Sequence, residues 1–118
     1  MERVTVEQVK EAYKKTEFIP VRKYWFLNDG VMECACALTA ISVQKDPSYR
    51  EKLKDQEDGE YCESIQNITG FSFDYVDGFT SGFDDPKQKH RHEHRNQEFK
   101  EGFEDGAAAW SAIEECEV

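Results

Sequence analysis

The sequence lacks the long hydrophobic runs that membrane-spanning and exported proteins carry. No stretch of the 118 residues approaches the roughly 20 apolar residues that cross a bilayer, and the N-terminus has no apolar signal-peptide core. We therefore expect a cytoplasmic protein without a membrane partner. The cysteines are then expected to be reduced thiols; they are Cys34, Cys36, Cys62 and Cys116.

The motifs that usually identify an enzyme are also missing. The chain contains no nucleophile elbow, no dinucleotide-binding fingerprint and no pair of histidines on a predicted helix. Its glycines lack the preceding strand and the lysine of a phosphate-binding loop. These absences favour a protein that is not an enzyme and that holds no cofactor.

Positive charge is scarce in the C-terminal half of the chain. The net charge is −10, and residues 55–118 carry 17 acidic but only 5 basic groups, whereas residues 1–54 carry 8 acidic and 10 basic groups. An acidic surface repels the phosphates of nucleic acids, which disfavours direct nucleic-acid binding. It suits a basic protein partner, and solubility alone is the alternative explanation.

A repeated motif of aromatic residues and glycines is the main feature that the sequence does contain. Residues 75–82 and 99–106 both fit the pattern aromatic-x-x-Gly-Phe-x-x-Gly. At about 100° per residue, the rings and glycines fall on one side of a helix and the acidic residues on the other. Because each glycine costs about 1 kcal/mol in a helix relative to alanine, four on the apolar side predict close backbone packing. We expect antiparallel helices at 71–84 and 97–115, with turns around short helices as the alternative.

The rest of the chain predicts shorter helices and one hairpin. Thr5 and Gln8 form a capping-box pattern at the start of a helix. Asn28-Asp29-Gly30 is a turn signal between two strands. Helices are expected at 6–16, 34–43, 48–56 and 60–68, and strands at 21–27 and 31–33. The apolar stretch 34–43 predicts a buried central helix, and 48–56 predicts a charged, exposed helix that begins with a capping box of Ser48 and Glu51. Gly70 is the expected C-cap of the helix at 60–68.

These elements predict an α+β, mainly helical fold: a single compact domain over residues 1–118, with one small β-hairpin and the antiparallel glycine/aromatic helix pair. The expected core consists of aromatic and aliphatic residues from all of these elements: Val9, Tyr13, Trp25, Phe26, Leu38, Ile41, Ile65, Phe71, Tyr75, Phe79, Phe103, Trp110 and Ile113.

Three alternating histidines form the candidate metal site. His90, His92 and His94 would share one side of an extended strand, where imidazole nitrogens could hold zinc or another divalent transition metal. Neighbouring lysines and arginines oppose a divalent cation, so a solvated basic loop is the alternative.

The cysteines give a weaker signal for chemistry. Cys34 and Cys36 are spaced as Cys-x-Cys, whereas zinc sites usually use Cys-x-x-Cys. Cys62 and Cys116 have no partner at a typical spacing. Buried thiols without reactivity are therefore expected, and a four-cysteine zinc site is the alternative.

The function favoured by these patterns is that of a small acidic, non-enzymatic interaction protein, an inhibitor or adaptor that binds a basic protein surface, or mimics a nucleic acid. It would be a monomer or homodimer. The candidate binding residues are carboxylates of the two repeat helices and their connection: Asp74, Asp77, Asp84, Asp85, Glu101, Glu104 and Asp105. The alternatives are a metal-binding protein that uses the histidines and a helical domain that binds a small molecule.

Overall fold

Helices account for most of the chain in the computed structural model, which describes residues 3–28, 30–88 and 94–116. The α-helices are α1 (Val6–Thr16), α2 (Ala37–Lys45), α3 (Asp58–Thr69), α4 (Phe73–Asp84) and α5 (Gln97–Cys116), and a 3-10 helix spans Pro47–Asp55. Three short strands, β1 (Ile19–Pro20), β2 (Phe26–Asn28) and β3 (Glu33–Ala35), form one sheet.

The first helix begins and ends as its local sequence indicates. The Thr5 side chain accepts a hydrogen bond from the Gln8 amide, and the Gln8 side chain accepts one from the Thr5 amide, which confirms the predicted capping box. Val9, Ala12 and Tyr13 face the core. The helix ends at Glu17, which adopts a left-handed φ of 63°.

The sheet is a small mixed sheet rather than a lone hairpin. Strands β2 and β3 form the expected antiparallel pair, and β1 adds to the other side of β3 in parallel, giving the order β1-β3-β2. The predicted strand over 21–27 was wrong before Phe26, because the backbone bends there and Lys23 takes a left-handed φ of 69°. Pro20 is tolerated in β1 because an edge strand does not need its missing N–H.

The second helix starts later than its composition predicts. Residues Cys34 and Ala35 belong to β3, and Cys36 is the N-cap of α2 with an extended backbone. Every residue from Ala37 to Val43 is buried. The predicted buried central helix is therefore confirmed, with its start moved by three residues.

A 3-10 helix replaces the charged, exposed α-helix that was expected over 48–56. Its cap is Asp46, whose carboxylate accepts a hydrogen bond from the Ser48 amide, and not the predicted Ser48–Glu51 box. Tyr49 and Leu53 are buried in the core. The next helix, α3, ends at Gly70 in the left-handed conformation, as predicted.

The two repeat helices, α4 and α5, pack directly through their glycines. A Cβ on Gly78 would overlap the carbonyl oxygen of Phe99, and one on Gly82 would overlap that of Phe103. In return, Gly102 lies against the backbone of Tyr75, and Gly106 against that of Phe79. We call this contact the glycine interface.

The order of these contacts corrects the predicted helix direction. Gly78 meets Phe99 and Gly82 meets Phe103, so positions advance together along both helices and the pair is parallel, not antiparallel. The 12 residues from 85 to 96 make this arrangement feasible, because they can reach back along α4, which is about 18 Å long.

The core lies between the helix pair and the N-terminal elements. Nine of the thirteen predicted core residues are buried, while Trp25, Phe26, Phe71 and Trp110 pack against the core with partial exposure. The radius of gyration of 13.3 Å is the value expected for a single compact domain of this length. In the described part of the chain, no helix is both long and apolar enough to cross a membrane.

Candidate functional site

The carboxylates predicted on α5 surround one arginine near the N-terminus. The Arg3 guanidinium donates to both oxygens of Asp105, at 3.0 Å from Nε and 2.9 Å from Nη2. It also lies 3.3 Å from Glu101 and 3.4 Å from Glu104. Hydrogen bonding to Asp105 raises the pKa of Arg3 above its usual value. The structure therefore brings Glu101, Glu104 and Asp105 together around Arg3, which partly neutralises them.

Asp105 also has a structural role. It accepts a 2.6 Å hydrogen bond from the buried Tyr75 hydroxyl, which itself accepts one from the Val4 amide. Burial and the Asp105 carboxylate raise the pKa of Tyr75. This network attaches residues 3–5 to the helix pair, so Asp105 is poorly placed to bind a partner.

Asp74 and Asp77 hold the start of α5. The Asp74 carboxylate accepts a 2.7 Å hydrogen bond from the Asn96 amide group, and Asp77 pairs with Arg95 at 3.0 Å. The guanidinium of Arg95 also stacks on the Phe99 ring, 3.9 Å from its centroid. Asp74 and Asp77 thus contact Asn96 and Arg95, whereas Glu101, Glu104 and Asp105 contact Arg3.

Asp84 and Asp85 lie at the C-terminal end of α4. The exposed Asp85 is the C-cap residue, whereas Asp84 is half-buried and accepts a 2.8 Å hydrogen bond from the Lys23 amide. Burial raises the pKa of Asp84, although the Lys23 amide and the Arg22 and Lys23 charges act in the opposite direction. Asp84 also lines a small cavity.

Three exposed carboxylates next to one another were missed by sequence reasoning. Glu57, the N-cap residue of α3, is exposed, and so are Glu60 and Glu63 within the helix, at a spacing of three residues. We call these three residues the α3 carboxylates. In the part of the chain that the structure describes, no lysine or arginine forms an ion pair with them. The signal was present in the sequence, since no lysine, arginine or histidine occurs between residues 55 and 86.

The candidate metal and thiol sites receive little support from the described residues. His90 and His92 lie outside them, and His94 is exposed. Within residues 3–28, 30–88 and 94–116, no three His, Cys, Asp or Glu side chains are grouped to hold a metal ion. Cys36 is buried, which raises the pKa of its thiol, while Cys34 and Cys62 are half-buried. The side chain of Cys116 lies outside the described part.

Comparison with known proteins identifies no relative of this chain. A scan against protein-family models found no matching family, and searches of curated proteins and of solved structures returned no match.

Proposed function

We propose that this protein is a small non-enzymatic interaction protein, an inhibitor or adaptor, whose α3 carboxylates bind a basic surface of another protein. The observation that carries the proposal is the charge of one continuous segment. Residues 55–86 contain nine aspartates and glutamates and no basic residue. A segment of one sign attracts an oppositely charged surface and accelerates its encounter.

The exposure of these carboxylates supports the same proposal. The carboxylates of α4 and α5 near Arg3, Arg95 and Asn96 are engaged within the fold. Glu57, Glu60 and Glu63 face solvent instead, and α3 contains no lysine or arginine. They are therefore available to arginines and lysines of a partner.

The local arrangement is also unfavourable for the free helix. Like charges three residues apart on a helix repel each other by a few tenths of a kcal/mol per pair. Within α3 this spacing separates Glu60 from Glu63, and α3 contains no lysine to compensate. A basic partner would relieve this repulsion, which strengthens its binding to the α3 surface.

The test compares two variants that remove the same number of charges. In one, Glu57, Glu60 and Glu63 are changed to Gln; in the control, Glu7, Glu11 and Glu51, which are exposed in the N-terminal half, are changed to Gln. Each immobilised protein is used to capture partners, and each captured protein is then purified and titrated by calorimetry at low and high salt. We expect a basic partner whose affinity falls with salt and drops about tenfold or more only in the α3 variant.

Two results would refute this function. One is a partner that binds both variants as tightly as it binds the wild-type protein. The other is equal weakening in both variants, which would attribute binding to net charge rather than to the α3 carboxylates.

A further inference from the structure

A small polar cavity lies where the bend after β1 meets the C-terminal end of α4. Its volume is about 110 Å³, well below the roughly 300–1,000 Å³ of pockets for cofactors and drug-sized ligands. The walls come from the bend, from Cys36 at the start of α2 and from α4; the lining residues are Lys23, Tyr24, Trp25, Cys36, Thr80 and Asp84. The space suits the end of one side chain.

The cavity contains a carboxylate that the fold leaves incompletely bound. In the described part of the chain, the Asp84 carboxylate accepts one hydrogen bond, which the Lys23 amide donates to Oδ1 at 2.8 Å, although an ionised carboxylate can accept about four. Among the described residues, no lysine or arginine side chain forms an ion pair with Asp84. Arg22 is engaged elsewhere, since it donates to the Phe83 carbonyl and lies over the Trp110 ring.

Two arginines elsewhere in the protein each lie between an aromatic ring and a carboxylate. Arg95 stacks on Phe99 at 3.9 Å and pairs with Asp77 at 3.0 Å. Arg50 lies 4.4 Å from the centroid of the Phe18 ring and pairs with Glu33 at 2.8 Å. In both cases a guanidinium combines one aromatic ring with one carboxylate.

The cavity has these two components without the arginine. Trp25 and Tyr24 supply the rings, and Asp84 supplies the carboxylate. The backbone of Lys23 adopts a left-handed conformation, which is costly for a residue with a Cβ. This conformation directs the Lys23 amide to Asp84. The Lys23 ammonium is exposed and can turn toward solvent when another cation enters.

We propose that this cavity binds a guanidinium group, with Asp84 as the charge partner and Trp25 and Tyr24 as the stacking surfaces. Resting on the proposed function, this inference assigns the group to one arginine side chain of the basic partner. The Thr80 hydroxyl donates to helix carbonyls within α4, which leaves its oxygen as an acceptor at the cavity wall.

The test is a titration of the intact protein with n-propylguanidinium, followed by amide and indole NMR signals. Propylurea is the neutral control of the same shape. Asp84→Asn removes the charge but can still accept the Lys23 hydrogen bond, and Asp85→Asn is the matched control because it removes an adjacent exposed charge. We expect saturable shifts of the Lys23 amide and the Trp25 indole.

Three comparisons decide the result. If binding is charge-assisted, the wild-type protein should bind propylurea about tenfold or more weakly than propylguanidinium. The Asp84→Asn variant should bind propylguanidinium about tenfold or more weakly than the wild-type protein does, while Asp85→Asn has little effect. Equal binding of propylurea, or equal weakening by the two variants, would overturn the guanidinium site. So would the absence of saturable binding.

Two further arms separate this inference from the proposed function. If Nα-acetyl-arginine methylamide binds as tightly as propylguanidinium, the group can come from a protein; if only the free compound binds, a partner arginine is excluded. If guanidinium fails to bind but the α3 variant still loses its partner, the cavity assignment is wrong and the proposed function remains.

Discussion

Asp84 shows how a single ionisable side chain can be held at a cost to the fold. Its carboxyl is half-buried and receives one backbone hydrogen bond, while Arg22, Lys23 and the buried Cys36 thiol are the titratable groups around it. Burial disfavours the charged form and raises the pKa of Asp84 above 3.8, its ordinary value.

This shift predicts a pH-dependent effect of Asp84→Asn on stability. Because the pKa of Asp84 is higher in the folded state than in the unfolded state, its contribution to stability is greatest in acid and is lost as the pH rises through the folded pKa. At neutral pH we therefore expect Asp84→Asn to melt at the same temperature as the wild-type protein or above it. In acid, that advantage should disappear.

Thermal melts of both proteins between acid and neutral pH measure this difference. Asp85→Asn serves as the control, since Asp85 is exposed. A large fall in the melting temperature of Asp84→Asn at neutral pH would contradict the expected sign.

At the scale of one element pair, the glycine interface depends on the absence of four side chains. A Cβ at any of these glycines would overlap backbone atoms of the facing helix, which cannot rotate away as a side chain can. Only separation of the two helices would create the space, at the expense of contacts between rings of α4 and α5 such as Phe83 and Trp110, whose centroids are 5.2 Å apart.

Alanine substitution tests this interface. Gly82→Ala should lower the free energy of unfolding by about 2 kcal/mol or more, because overpacking exceeds the helix-propensity gain of about 1 kcal/mol. Gly59→Ala is the matched control, since a Cβ at that helical position meets nothing within 4 Å. Denaturant unfolding measures both, and equal stability of Gly82→Ala and Gly59→Ala would refute close packing.

The direction of the pair is tested by cross-linking. Ser72 and Glu98 share a 2.5 Å hydrogen bond near the N-terminal ends of α4 and α5. In parallel helices, Ser72→Cys with Glu98→Cys should be joined by a short bifunctional thiol cross-linker, which peptide mass mapping detects. In antiparallel helices, Ser72→Cys would instead react with Ser111→Cys near the other end of α5.

Local sequence predicted much of these elements, and distant contacts explain what it missed. The Thr5–Gln8 capping box and the Gly70 helix end depend on neighbouring residues, so both were readable. Helix direction was not, because the aromatic-glycine motif packs in either direction. The pairing of Arg3 with Asp105 joins residues 102 positions apart, which no local pattern shows.

At the scale of the whole molecule, charge and fold are divided along the chain. The N-terminal half supplies the sheet and most of the basic residues, while the C-terminal half supplies the helix pair and most of the negative charge. Arg3, Arg22 and Lys23 join the halves through contacts to α4 and α5. A net charge of −10 on so small a domain remains repulsive.

This repulsion predicts that salt stabilises the protein. Sodium chloride screens exposed charges, so the melting temperature should rise by roughly a few degrees from very low to physiological ionic strength. The variant with Glu57, Glu60 and Glu63 changed to Gln should show a smaller rise. A fall in melting temperature with salt would mean that attractive ion pairs, such as those of Arg3 with Glu101, Glu104 and Asp105, outweigh the repulsion.

The rings and glycines of the glycine interface also have a near-symmetry, which the residues between them do not share. Adding 24 to a residue number maps the first repeat onto the second. The contact of Gly78 with Phe99 then corresponds to the contact of Gly102 with Tyr75, as two contacts related by a two-fold axis do in a dimer. The exchange fails at the hydroxyl of Tyr75, since its counterpart Phe99 has none. Because that hydroxyl binds Asp105 and the Val4 amide, and the counterpart of Asp105 is Ser81, the groups that hold the N-terminal segment are present on only one of the two similar sides.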